Sequence, residues 1–342
     1  MSLSRVSFVL AAALLPASAG LEAQELVRNC GSGPRYEQLA AGAAFREQMA
    51  SIAFEARRQY ALVQGPRAKA PGLVTIPVVV HVLYNVDDKN APTESNISDD
   101  QVRSQIDALN HDYDPPAADA RDTAKVPLRF ANLFGISRLR FALADKDQEG
   151  GKTTGIERTA TKTLKFVSTE DTAKDPARGG VAPWPADRYL NLWIVPDLVN
   201  DKGSALFGYS SWPSEPASKD GVVIWYRAFG TKGAVAPRYD LGRTATHEIG
   251  HWLGLHHLWG DHEPNEDCLD DGVDDTPKQS GPHYKCPTDK PVTCKNGPDG
   301  AMFMNYMDYP PDACLSMFTV GQVARMRATL ANVRKTFAPA AP

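Results

Sequence analysis

The run His247-Glu248-Ile249-Gly250-His251-Trp252-Leu253-Gly254-Leu255-His256-His257 constrains this chain more than any other stretch. Five of the eight histidines fall between His247 and His262. On a helix, positions i and i+4 share a face with a rise of roughly 6 Å, so His247 and His251 reach one ion. The spacing predicts that the helix stops at Gly254, because glycine accepts the left-handed backbone of a helix end. The turn then returns His257 as a third nitrogen ligand. His256, one residue short, is read as solvent-facing or as a residue behind the ligands. Three neutral imidazoles suit zinc and leave a fourth position open for water, which marks a catalytic rather than a structural site. Glu248 is placed to contact that water as general base. A bare H-E-x-x-H arises by chance in roughly one chain per hundred of this length, and the added Gly and His lower that to about one in 10⁵.

The 342 residues, 42 % hydrophobic and 23 % charged, suffice for one or two packed domains. Residues 1–72 hold eight Lys/Arg and five Asp/Glu, which leaves 29 basic and 36 acidic residues, a charge of −7, from residue 73 onward. So acidic a body argues against nucleic acid as the main partner.

Arg5 precedes the apolar run Val6–Leu15, which is too short to span a bilayer and ends in Ala17-Ser18-Ala19, a small-residue cleavage pattern. The expectation is a signal peptide over 1–19, or 1–23 if cleavage follows Ala23, and a secreted chain without a membrane anchor. Residues from Gln24 to Tyr60 lack a strand pattern and suit helix. The Pro/Gly stretch Gln64–Gly72 marks an exposed linker, so 24–70 is read as a pro-segment ahead of a catalytic domain over 71–342. Val74–Tyr84 reads as a buried strand, and Leu139, Phe141 and Leu143 as a half-buried one. Leu190, Leu192 and Ile194 alternate in the same way, and Val222–Tyr226 is a further strand. Ser98 caps a helix carrying Val102, Ile106 and Leu109, and Thr319 opens a capping-box helix with Val323, Met326, Leu330 and Val333 on one face. Residues 260–318 show no sustained period.

The zinc motif matches that of the metzincin metalloendopeptidases at every fixed position, and Met304-Asn305-Tyr306-Met307-Asp308-Tyr309 resembles the Met-turn of their pappalysin family, in its ulilysin-like branch. The resemblance implies an α/β fold: a twisted, mostly parallel sheet with a backing helix and an active-site helix (N-subdomain 71–254) over an irregular C-terminal subdomain (255–337). It implies a zinc-dependent endopeptidase acting on proteins or peptides, and the chain is expected to be a monomer. Met307 is implied as the apolar base under the metal, and Tyr309 as a stabiliser of the oxyanion. Arg or Lys just after the scissile bond is the implied preference, with Asp312 as the carboxylate that grips it by a two-pronged hydrogen bond.

Four cysteines cluster late in the chain and Cys30 stands apart. Spacing allows three connectivities, and the absence of a C-x-x-C pair speaks against a zinc ribbon. The resemblance implies Cys268–Cys294 and Cys286–Cys314. It also implies calcium in the acidic loop at Asp271, Asp274, Thr276 and Gln279, a hard-cation site that fits the density of carboxylates there. Cys30 is then a thiolate that fills the open zinc position and keeps the chain latent, as in family members. Arg57-Arg58 and Arg67 are the expected points of processing. The competing reading is a non-catalytic secreted adhesin that binds zinc and calcium.

Overall fold

The computed structural model describes residues 26–64, 71–86, 94–116, 118–119, 124–261 and 268–337. The signal-peptide run, Arg67 and His262 lie outside the described residues. The helices are α1 (Ser32–Ala40), α2 (Ala43–Val63), α3 (Asp99–Tyr113), α4 (Leu128–Ala131), α5 (Arg243–Trp252) and α6 (Val320–Asn332). The strands are β1 (Val74–Asn85), β2 (Phe134–Gly135), β3 (Leu139–Leu143), β4 (Ile156–Thr161), β5 (Phe166–Val167), β6 (Leu190–Val195), β7 (Leu198–Val199), β8 (Gly208–Ser210), β9 (Val222–Trp225) and β10 (Phe318–Thr319).

The main sheet has the order β3-β1-β6-β9-β8. Its β1 pairs in parallel with β6 along one edge, and with β3 and then β4 along the other. Only β8, at the cleft edge, runs antiparallel, against β9. This is the mostly parallel α/β sheet expected from the resemblance. The almost unbroken Val/Ile run of β1 suits a strand covered on both faces. β6 departs from its expected half-buried character, because all six of its residues are buried. Its outward positions are covered by the segment 181–184: Asn191 bonds both ways with the Trp184 backbone, and Trp193 donates to the Val181 carbonyl.

α3 and α5 pack on each other at one side of the sheet, with α5 against β8 and β9. Ser98 accepts from Gln101 N at the start of α3, and Thr319 and Gln322 close a reciprocal capping box on α6. The stretch from 268 to the short turn at Asp312–Cys314 holds no helix or strand and is cross-linked by Cys268–Cys294 and Cys286–Cys314, leaving Cys30 free and buried.

The N-terminal segment is docked. Phe45, Met49, Ile52 and Ala56 form one face of α2 and pack on Trp212 and Ala328, the latter from α6. Each fully buried large apolar side chain of this kind contributes about 1.5–3 kcal/mol. Arg57 and Arg58 sit within α2, so a cut between them requires local unwinding, and Arg57 lies 3.9 Å from Asp274.

Candidate active site

α5 ends as its glycine dictates. Gly254 has φ +84°, with Gly254 N donating to His251 O at 2.8 Å and Leu255 N to Gly250 O at 2.9 Å. These paired bonds satisfy the last carbonyls of the helix and reverse the chain, so His257 returns to the face that carries His247 and His251.

The three Nε2 atoms stand 3.2 Å from one another. A tetrahedral ion with zinc–nitrogen bonds of about 2.0 Å needs neighbouring donors about 3.3 Å apart, so the triangle has zinc's dimensions. Each Nδ1 is already committed: His247 to Tyr306 O at 2.8 Å, His251 to Leu255 O at 2.8 Å, and His257 to Asp261 Oδ1 at 2.9 Å. Carbonyl and carboxylate oxygens only accept, so the protons sit on Nδ1 and three lone pairs converge on one point, an arrangement suited to a cation. Burial, with the neighbouring imidazoles, holds His247 well below the usual histidine range and His251 down to about 3, so both stay neutral ligands.

Cys30 completes the set, since one donor atom each from Cys30, His247, His251 and His257 lie within 4.8 Å of one another. The thiol donates to Glu248 Oε2 at 3.3 Å, and the Ser32 hydroxyl donates to the same oxygen at 2.9 Å. Burial pushes the Glu248 carboxyl up to about 7 against those two hydrogen bonds, a value suited to a group that takes and returns a proton near neutrality. Gly208 on β8 makes room for it: a Cβ there would lie 2.7 Å from Glu248 Cγ.

Tyr309 places its hydroxyl 3.1 Å from His257 Nε2, and burial, with Cys30 and Glu248 nearby, holds the phenol protonated. Met307 is fully buried against α5 at Gly250. His256 is not solvent-facing. It is 9 % exposed, lies between the rings of Tyr36 and Trp212, and bonds Asp261 Oδ2, so it sits behind the ligands. Asp261 and the backbone oxygens of Tyr306 and Leu255 were missed by sequence reasoning. Only Asp261 left a signal, four residues after His257.

Asp312 is buried and pairs with Arg28 of the N-terminal segment, while its Oδ2 accepts from Leu241 N at 2.9 Å and Arg243 N at 3.2 Å. The expected two-pronged grip is absent for Arg28, because the backbone amides occupy the second oxygen. The expected calcium ligands are divided. The Thr276 hydroxyl lies 2.7 Å from Asp271 Oδ1, whereas Asp274 is exposed and Gln279 donates to Asp308 Oδ2 at 3.0 Å. Asp271 Oδ2 and Gln279 Oε1 are nonetheless buried without a partner.

The segment carrying Cys30 lies along β8. Phe207 N donates to Asn29 O at 2.8 Å and Gly31 N to Gly208 O at 2.9 Å, and the Cys30–Gly208 bridge is parallel.

Residues 180–331 match the Peptidase_M43 family model, described as pregnancy-associated plasma protein-A. Mature mirolysin of Tannerella forsythia, solved with a cleaved peptide, is 43 % identical with a TM-score of 0.70, over 78 % of this chain and 96 % of that one. A promirolysin variant from the same organism is 38 % identical with a TM-score of 0.75, over 91 % of this chain and 97 % of that one. A protein of Arthroderma benhamiae named extracellular metalloprotease is 40 % identical over 145 residues, a match spanning 46 % of its length.

Proposed function

This chain belongs to the pappalysin family of metalloproteases, and from that premise we propose that it is a secreted zinc endopeptidase made as a latent precursor. The observation that carries the reading is the triangle of three Nε2 lone pairs at 3.2 Å with every Nδ1 committed elsewhere. When bound, zinc supplies a Lewis acid that polarises a carbonyl and makes water a nucleophile near neutral pH. His247, His251 and His257 would hold it. Glu248 takes the proton of the attacking water and hands it to the leaving amine. Tyr309 donates to the oxygen that gains charge, and the edge of β8 pairs with the substrate backbone.

In the precursor, residues 24–70 act as the pro-segment of a catalytic domain over 71–342. Cys30 would supply the fourth ligand to the metal, and Ser32 engages the base. The better overlap with promirolysin, 91 % of this chain against 78 % for the mature form, supports this division. Asp312 reads a basic residue just after the scissile bond, and Arg28 fills that place in the precursor. Since Arg28 precedes Cys30, the segment crosses the cleft opposite to a substrate, and its own peptide bonds are presented backwards. Asp271 and Gln279, with their unpartnered oxygens, are the core of a calcium site in the acidic loop. Secretion agrees with the extracellular naming of the Arthroderma benhamiae protein. Among the described residues no helix is long and apolar enough to cross a membrane.

The test is Glu248→Ala. It is expected to keep stoichiometric zinc and lose peptide cleavage by several orders of magnitude. Cleavage at the wild-type rate would overturn the mechanism, and zinc without turnover in the wild-type protein would favour the adhesin.

A further inference from the structure

A second arginine of the N-terminal segment also enters the body of the protein, beyond Cys30 and on the far side from Arg28. The Arg35 Nε and Nη2 donate to Glu215 Oε1 and Oε2 at 2.7 and 2.5 Å, and Nη2 also reaches Asp171 Oδ2 at 2.9 Å. The Tyr209 ring flanks the guanidinium at 5.7 Å, while its hydroxyl donates to Asp171 Oδ1 at 3.2 Å. Both carboxylates are nearly sealed, with side chains 5 % and 3 % exposed.

The two carboxylates are also held from within the body of the protein, although Trp212 beside them leans on the segment through its Nε1 bond to Ser32 O at 2.9 Å. Glu215 Oε1 is oriented by the Trp212 amide at 2.7 Å, and Asp171 keeps Lys174 and Lys219, each 3.2 Å away. Glu215 is paired directly with Arg35 alone among the described residues, with Lys174 only within longer electrostatic range. Once residues up to the linker are cut away, a carboxylate set for a planar fork has lost its cation and opens to the cleft, free to take another guanidinium or ammonium.

We infer that the Glu215–Asp171 pocket is a second basic-residue subsite of the mature cleft, taking an arginine or lysine on the N-terminal side of the scissile bond. This rests on the peptidase reading above and on Asp312 as the subsite after the bond, since Arg28 and Arg35 lie on either side of Cys30. The position follows from β8. Cys30 pairs with Gly208, the Ser32 hydroxyl meets Ser210 N at 2.9 Å, and Trp212 N holds Glu215. At about 3.3 Å per extended residue, the stretch from Gly208 to Trp212 places the subsite roughly three or four residues before the bond.

The test uses the mature enzyme, freed of its N-terminal segment, on a peptide library randomised on both sides of the cut. Arg and Lys are expected to be enriched three or four residues before the bond, independently of any enrichment just after it. On matched peptides carrying Arg or Ala there, kcat/KM is expected to be about tenfold higher for Arg. Glu215→Gln, which still accepts from Trp212 N, is expected to bring that ratio close to one. A flat profile before the bond overturns the inference, as does a preference that survives Glu215→Gln. If that variant does not mature, the wild-type profile decides alone. Enrichment before the bond with none after it would support this pocket and remove Asp312 from its role, and a protein that cuts no peptide would overturn both.

Discussion

The sulfur of Met307 stands where a side chain at Gly250 would begin, 2.5 Å from the position of an ideal Cβ. Gly250 lies on α5 between the two histidines, so this contact sets how closely the Met-turn approaches the helix that holds them. Gly250→Ala is expected to displace Met307 and destabilise the fold by about 1–3 kcal/mol, an overpacking cost. Thermal melts with and without a chelator check it, and an unchanged melting temperature in both would show that the contact has slack.

Asp261 serves two histidines, with one oxygen on His257 and the other on His256. Asp261→Ala removes the acceptor that orients His257, and zinc affinity is expected to fall about 10–100-fold, with Asp261→Asn less affected. Trp259 is stacked on His257 at 4.5 Å, so tryptophan emission during zinc titration gives a direct readout.

Latency is expected to depend on two side chains that touch Glu248. Cys30→Ala should speed conversion of the precursor at least about tenfold, and Ser32→Ala by a few-fold, as expected for loss of a hydrogen bond to a carboxylate. A time course of precursor conversion on gels measures both. A Cys30→Ala precursor as slow as wild type would remove the thiol from the latency mechanism.

The acidic loop sets a pH dependence. Burial pushes Asp271 up to about 8 in the chain without calcium, against an unfolded value near 3.8. Between those values the folded state binds the extra proton, so stability falls as pH rises from about 4 to 8. Chelated protein should show that decline, and Asp271→Asn should flatten it. Added calcium should restore wild-type stability most at the upper end and release a proton on binding. A wild-type profile unaffected by calcium at pH 8 would exclude the site.

Much of the scaffold was legible because it is written in local periodicity. The caps at Ser98 and Thr319, the apolar β1 and the helix stop at Gly254 each depend on residues within a few positions of one another. β6 escaped that reading: alternation in Leu190, Leu192 and Ile194 signalled one covered face, and only the packing of residues 181–184 shows that both are covered. The acidic loop was legible as a density of carboxylates, but the outward turn of Asp274 and the tie of Gln279 to Asp308 were not.

By itself the sequence determined the chemistry of the centre: two histidines one helical turn apart, a glycine where the chain must reverse, and a third histidine at the reach of that turn. Those are short-range facts, governed by the pitch of a helix and the freedom of one backbone angle. Only the tertiary structure decided what closes and tunes the centre. Cys30 and Arg28 meet Glu248 and Asp312 across separations of 218 and 284 residues, and Arg35 meets Glu215 across 180. No periodicity carries such pairings; they are fixed by how the sheet, α5 and the cross-linked loop stack, and by the need of each buried charge for a partner.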